Sequence, residues 1–217
     1  MRYGKFYGFA KVNSNLLQDT LSKVDSENML LASVETGGDE KARNANVNWI
    51  KDEDICKRWL TVAKSVNKDL GWDFNLDAME FLQYGEYNKD QYYGWHVDQH
   101  KEPYPDGRVR KISFSVFLND DYEGGEFDLE TGSPRQGADR VKTFKNTKLN
   151  SILFFQSDYW HQVRPVTKGV PKIICAKTIP VCVAAKPTFA IKKNIAVPEI
   201  INGTIIGEIN KAMNAAL

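Results

Sequence analysis

A histidine and an aspartate in this chain stand where they could bind a metal together. The segment YYGWHVD, residues 92–98, has the aromatic and branched composition of a β-strand. Its His96 and Asp98 are two positions apart, and residues at that spacing on a strand point to the same face. One imidazole and one carboxylate on one face make up two thirds of the 2-His-1-carboxylate set that binds Fe(II) and leaves coordination positions open.

The third ligand has two candidates, because the chain contains 3 histidines in all. His100 lies in QHKEPYPDG, which is typical of an exposed loop, whereas His161 begins a predicted strand in SDYWHQVRPV. We therefore favour His161. A His-x-Asp pair alone is more often a simple hydrogen-bonded pair than a metal site, so the hypothesis depends on the strand context and on the later histidine.

The elements that must position these side chains begin with a helical support segment, predicted over residues 1–75. A short helix is predicted from Asn15 to Val24, and the charged, glycine-containing residues 36–45 are predicted to form a loop. A longer helix should begin at the N-cap Asp52 and end at Gly71. Its apolar side chains recur at spacings of three and four residues: Ile55, Trp59, Val62, Ala63, Val66 and Leu70.

A β core is predicted over residues 76–185, because short segments rich in aromatic and branched residues alternate there with turn signals. About eight strands at this spacing indicate an all-β sandwich or barrel. Residues 186–217 are predicted to be a C-terminal extension, with a final helix that packs back on the core.

Composition excludes several classes of protein. The formal net charge of +1 gives no reason to expect nucleic acid or an anionic membrane as a partner. The 3 cysteines have no CxxC spacing, which favours a reducing compartment over a disulfide scaffold or a structural zinc site. No apolar run is long enough for a signal peptide or a membrane span. We expect a cytoplasmic protein, in the host cytoplasm if a phage encodes it.

Several segments taken together resemble a known family. LQYGEYNKDQYYGWHVD, RKISFSVFLNDDYEGGEFDL and SILFFQSDYWHQVRPVTKG resemble the iron(II)/2-oxoglutarate-dependent dioxygenases of the prolyl hydroxylase type, and ARNANVNWI resembles an upstream element of bacterial and phage members. The resemblance implies a mainly β fold with flanking helices and a double-stranded β-helix core, which is a jelly-roll of cupin-like form. It also implies that His96, Asp98 and His161 hold Fe(2+) at one open end of that core.

The resemblance further implies a cation for the far carboxylate of 2-oxoglutarate, since a buried carboxylate needs a paired cation. Family members commonly have Arg or Lys nine or ten residues after the last histidine, but Pro171 stands at the tenth position here. We predict that Lys172 takes the role, with Lys177 as the alternate.

Other cosubstrate contacts are predicted from the same resemblance: Tyr84 as a family tyrosine, Tyr93 as an aromatic neighbour of the site, and Ser113 as a hydroxyl donor to the carboxylate. Asn119 is predicted either to cap the turn at Gly124 and Gly125 or to point to the substrate.

The implied reaction is hydroxylation of a C–H bond, with 2-oxoglutarate and dioxygen consumed, succinate and CO2 formed, and ascorbate as a candidate reductant. Prolyl residues of proteins or peptides are the leading substrate class, and small molecules are the alternative. The rival hypothesis is a non-catalytic jelly-roll protein for binding or structure that has kept the fold and a metal; Pro171 is its main support.

Overall fold

The computed structural model describes residues 6–35, 41–132, 140–145 and 149–180, and these form a mainly β protein with two helices. The helices are α1 (Ser14–Leu21) and α2 (Glu53–Asp69). The strands are β1 (Tyr7–Lys11), β2 (Leu30–Glu35), β3 (Lys41–Ile50), β4 (Leu76–Met79), β5 (Leu82–Glu86), β6 (Tyr92–His96), β7 (Ile112–Phe117), β8 (Glu123–Gly124), β9 (Phe127–Glu130), β10 (Val141–Phe144), β11 (Ser151–Gln156), β12 (His161–Val163), β13 (Val166–Lys168) and β14 (Lys172–Pro180).

Helix α2 confirms the helical pattern of the sequence. It begins after Asp52, whose carboxylate accepts hydrogen bonds from the backbone N–H groups of Asp54 and Ile55, both at 3.1 Å. It ends before Gly71, which has a φ of 69° that glycine adopts without a steric penalty. Helix α1 lies where a short helix was predicted.

The front of the chain contains more strand than its composition indicates. Strands β1 to β3 lie there beside the two helices, and the loop predicted over residues 36–45 is wrong for residues 41–45, which belong to β3. Strand β3 pairs with β2, β5 and β6, so its backbone hydrogen bonds come from neighbours along the sheet. Tertiary pairing has overridden local composition here.

The strands pair antiparallel in a 12-stranded sheet whose main order is β1-β11-β7-β14-β5-β3-β6-β12-β9-β10. Strand β2 pairs with β3, β4 pairs with β14, and β13 and β8 form a separate 2-stranded sheet. Because β6 and β12 are neighbours, the strand that ends at His96 lies beside the strand that begins at His161.

Side chains alternate across the central strands between two faces. On β14, Ile174 and Ala176 belong to a core cluster that includes α2, and we call this side the helix face. Ile173 packs against a second cluster on the opposite side, which we call the interior face. Trp59 of α2 stacks on Phe114 of β7 with ring centroids 5.1 Å apart, which fixes the helix on its face.

The predicted tail over residues 186–217 lies outside the described residues. Within the described ranges, no helix is both long and apolar enough to cross a membrane.

Candidate metal centre

His96, Asp98 and His161 come together at one place, as the sequence predicts. His96 ends β6 and is the register partner of His161, the first residue of β12. Potential ligand atoms of the three side chains all lie within 4.8 Å of one another. The Nε2 atoms of His96 and His161 are 3.8 Å and 3.6 Å from the two Asp98 carboxylate oxygens. His100 is not part of this cluster.

Backbone carbonyls set the orientation of both imidazoles. The Nδ1 atom of His96 lies 2.8 Å from the Gly94 oxygen, and that of His161 lies 2.9 Å from the Tyr159 oxygen. Because a carbonyl only accepts, Nδ1 carries the proton in each ring and Nε2 is left with its lone pair. This is the arrangement by which outer partners fix a metal-binding histidine.

Burial keeps both imidazoles neutral, which is the form that binds a metal. Burial lowers the pKa of His96 to about 3, and the neighbouring His161 adds to that effect. Burial also lowers the pKa of His161, whose ring packs against Phe155 and Phe127. The Tyr93 ring stacks on His96 with centroids 3.5 Å apart, so this predicted neighbour of the site does lie against it.

Asp98 stays ionised although its side chain is only 10% exposed. Burial by itself would raise its pKa, but Lys177 and, less strongly, His161 and His96 hold the pKa below the ordinary value. The Lys177 ammonium lies 3.5 Å from Asp98 Oδ1. Ser113 adds a hydrogen bond to the carboxylate, which brings this predicted residue into the site as well.

An arginine that sequence reasoning missed supports Asp98 from the backbone. Arg110 donates from Nη1 to the Asp98 carbonyl oxygen at 2.9 Å, while its Nε pairs with Glu80 at 2.6 Å. The ion pair therefore anchors the turn that carries the carboxylate. Arg110 reaches Asp98 only because of the path that residues 99–109 take, and no local sequence pattern reveals that path.

The donor set fits the metal that the resemblance implies. Two neutral imidazoles and one carboxylate, held by separate elements and converging on one point, are the ligands that select Fe(II) in non-haem oxygenases.

The structure does not bring Lys172 to this cluster. Its side chain is 46% exposed and its ammonium pairs with Glu86 at 3.3 Å. The positions of Lys172 and Lys177 differ by an odd number, so the two side chains project to opposite faces of β14. Strand alternation counted from the buried Ile174 would have revealed this, and the alternate, Lys177, is the lysine on the interior face.

Tyr84 also lies away from the cluster. It belongs to the helix-face core, and its hydroxyl donates to Glu86 Oε1 at 2.7 Å. Asn119 accepts the Lys172 N–H at 2.7 Å and donates to the Val170 carbonyl at 2.9 Å, so these backbone partners lie at the connection between β13 and β14 and not in the turn at Gly124 and Gly125.

Comparison with known proteins agrees with this geometry. Residues 79–179 match the family described as the 2OG-Fe(II) oxygenase superfamily, where 2OG is 2-oxoglutarate. A PKHD-type hydroxylase of Gloeothece citriformis is 39% identical over 90 residues, which are 41% of this chain and 37% of the relative. The chain thus matches little more than a third of the length of this curated relative.

Solved structures share the fold at low identity. A viral collagen prolyl hydroxylase from Paramecium Bursaria Chlorella virus-1 superposes with a TM-score of 0.59 and 18% identity, covering 82% of this chain and 98% of that one. A Trichoplax adhaerens prolyl hydroxylase, solved with a peptide fragment of hypoxia inducible factor, has a TM-score of 0.56 and 18% identity, covering 81% and 84%. Residues 79–179 are thus similar to the 2OG-Fe(II) oxygenase superfamily, and the shared jelly-roll fold of the solved structures confirms the predicted fold class.

Proposed function

We propose that this protein is an Fe(II)- and 2-oxoglutarate-dependent dioxygenase that hydroxylates a prolyl residue of a protein or peptide. The observation that carries the proposal is the buried convergence of His96, Asp98 and His161 within 4.8 Å, inside a segment that matches the oxygenase family. In this proposal these three side chains are the iron ligands.

The bound iron would supply the oxidative chemistry: 2-oxoglutarate and dioxygen become succinate and CO2, and one oxygen atom enters the substrate C–H bond. The chain's own residues hold and shield that centre. Gly94 and Tyr159 aim the two Nε2 atoms through their carbonyls, and Tyr93 covers one face of His96.

Charge at the centre suits an anionic cosubstrate. Lys177 lies on the interior face beside Asp98, and burial among neutral groups strengthens its electrostatic effect. Burial lowers the pKa of this ammonium, but Asp98 more than offsets that and raises it, so Lys177 is charged. Of the two lysines considered for the cosubstrate, Lys177 is the one beside the proposed iron ligands, where its charge suits the 2-oxo acid end.

The prolyl substrate is supported by the named activities of the structural relatives, one of which was solved with a peptide. A peptide substrate is therefore the better proposal, with small molecules as the alternative.

The first experiment is turnover of 2-oxoglutarate to succinate by purified protein with Fe(II), with and without ascorbate, followed by a screen of proline-containing peptides. We expect succinate formation and a peptide product heavier by one oxygen atom. Matched peptides with alanine in place of proline serve as the control. Absence of turnover, together with absence of 2-oxoglutarate binding by calorimetry, would favour the non-catalytic jelly-roll instead.

A further inference from the structure

Arg43 is a buried cation that the proposed metal centre does not use. It lies on β3, opposite Tyr93 of β6 in the sheet register, and is only 9% exposed. It belongs to ARNANVNWI, the segment that resembles an upstream element of bacterial and phage members and to which no role was assigned. A charge buried to this extent needs partners that compensate for lost hydration.

The partners of Arg43 are neutral and incomplete. Its Nη2 donates to Gln83 Oε1 at 2.6 Å, its guanidinium carbon lies 4.7 Å from the centre of the Tyr93 ring, and it hydrogen-bonds to the Tyr87 side chain. Its Nε is buried and has no hydrogen-bond partner. Over the described ranges, no carboxylate lies within ion-pair distance of Arg43.

Two largely buried cations near the proposed centre each have a carboxylate. Arg110 pairs with Glu80, and Lys177 lies beside Asp98. Arg43 lacks such an anion, although its planar fork of donors is the group best matched to a carboxylate. The geometry therefore points to an anionic ligand that completes the set.

The position of Arg43 relative to the metal centre fits one end of a diacid. Tyr93 stacks on His96 and also carries the Arg43 guanidinium over its ring, so Arg43 lies about one aromatic side chain away from the proposed ligands. A five-carbon diacid held at the metal by its 2-oxo acid end extends its other carboxylate several bonds away. Lys177, in contact with Asp98, lies too near the centre for that carboxylate.

We propose that Arg43, assisted by the Tyr87 hydroxyl, binds the distal carboxylate of 2-oxoglutarate. This inference rests on the proposed function. The cation then comes from β3. At the start of β14, where family members commonly have it, this chain has Pro171, and the next residue, Lys172, pairs with Glu86 away from the cluster. Tyr87 is 1% exposed, and its backbone N–H donates to the Pro171 carbonyl at 3.1 Å, so the tyrosine lies beside the residue that replaces the usual cation.

Calorimetry with a matched pair of ligands tests the assignment without turnover. 2-Oxoglutarate and 2-oxopentanoate have the same five-carbon chain and the same 2-oxo acid end, but only the first has a distal carboxylate. We expect wild-type protein loaded with Mn(II) to bind 2-oxoglutarate at least about tenfold more tightly. In Arg43→Gln this preference should collapse, while the affinities for Mn(II) and 2-oxopentanoate stay within about twofold.

Arg58→Gln is the matched control. Arg58 is a half-exposed arginine of α2, and its ion-pair partner is Asp19 of α1, not a residue of the proposed site. The variant should keep the wild-type preference. A folded Arg43→Gln protein that retains the full preference for the diacid would overturn the assignment. If wild-type protein with Mn(II) binds neither ligand, the proposed function itself fails, which is a distinct result.

Two milder variants keep the test decisive if Arg43→Gln does not fold. Arg43→Lys keeps the buried charge but loses the fork, and Tyr87→Phe removes only the hydroxyl. Each should reduce the diacid preference by about threefold or more, since each removes hydrogen bonds to a charged group. An unchanged preference in both folded variants would refute the role of this pair.

Discussion

The two faces of the central strands carry different kinds of side chain, although alternate residues of the same strands form both faces. On the helix face, β5, β7 and β14 present mainly apolar side chains to α2. On the interior face the same strands present Gln83, which accepts from Arg43, and Ser113 and Lys177, which contact Asp98. The helix face is dominated by apolar packing, whereas the interior face combines a second apolar cluster with buried polar and charged groups.

This division has a physical reason. A polar group can be buried without a large penalty only where every donor and acceptor finds a partner, so polar side chains gather where they satisfy one another. The helix face packs mainly through apolar contacts. Substitutions on the two faces should therefore have separable effects on folding and on ligand binding.

The largest effect is expected from His161→Ala on the interior face. It removes a proposed iron ligand, so metal affinity should fall by more than the roughly 10–100-fold that loss of an outer partner costs, and succinate formation should fall to background. The free energy of unfolding of the metal-free protein should fall by less than in Trp59→Ala, since the imidazole is the smaller of the two buried rings. Metal titration and urea unfolding measure both, and an unchanged metal affinity would show that the triad is misassigned.

Trp59→Ala on the helix face should do the reverse. Trp59 is fully buried, stacks on Phe114, and donates from its indole N–H to Thr20 Oγ1 at 2.9 Å. Removal should lower the free energy of unfolding by about 3–5 kcal/mol. Metal affinity of the folded fraction should stay at the wild-type value. A large loss of metal affinity in protein that is still folded would mean that the faces are coupled.

Lys177→Met tests the charge of the interior face. Without the ammonium, the anionic cosubstrate loses a buried cation, and we expect 2-oxoglutarate affinity in the Mn(II)-loaded protein to fall by about tenfold or more. Calorimetry gives the ratio to wild type. Retention of the wild-type affinity would show that Lys177 serves only to balance Asp98.

Acid should lower the free energy of unfolding through the two buried histidines of the interior face. The pKa of His96 is lowered to about 3, so between about pH 3 and pH 6.5 the unfolded chain binds more protons at this histidine than the folded one; the pKa of His161 is lowered too, which acts in the same direction. Stability is therefore complete above pH 6.5 and is lost as the pH falls, by about 1 kcal/mol for each pH unit from His96. Urea unfolding of metal-free protein at pH 7 and pH 5 checks the slope, which His161→Ala should reduce.

The smallest effect is expected from Lys172→Ala, which is matched to the Lys177 variant on the same strand. Lys172 forms a half-exposed ion pair with Glu86, and such pairs contribute about 0–1 kcal/mol. Its 2-oxoglutarate affinity should stay within about twofold of wild type. A loss comparable to that of Lys177→Met would restore the sequence-based assignment of Lys172.

Much of this arrangement could be predicted because its signals are local. The apolar spacing and the Asp52 cap define α2, and the spacing of His96 and Asp98 places both on one strand. The choice of His161 over His100 followed from strand context. The family resemblance supplied the jelly-roll, which residue patterns alone left open between a sandwich and a barrel.

The cosubstrate contacts could not be predicted as well, because strand parity and register decide them. Tyr84 was predicted to contact the cosubstrate, but it is turned to the helix face, whereas Tyr87 is turned to the interior. One residue of shift moves a side chain from one face to the other. A motif aligned to within a residue or two is therefore insufficient to assign such contacts.

The sequence by itself determined the donor set of the proposed metal site, since the identity and spacing of His96, Asp98 and His161 are covalent facts of the chain. Only the tertiary structure decided which cations face that site. Arg43 lies 50 positions before Tyr93 and reaches it only because β3 pairs with β6. Long-range strand pairing sets which charges share a buried space, and no local pattern encodes it.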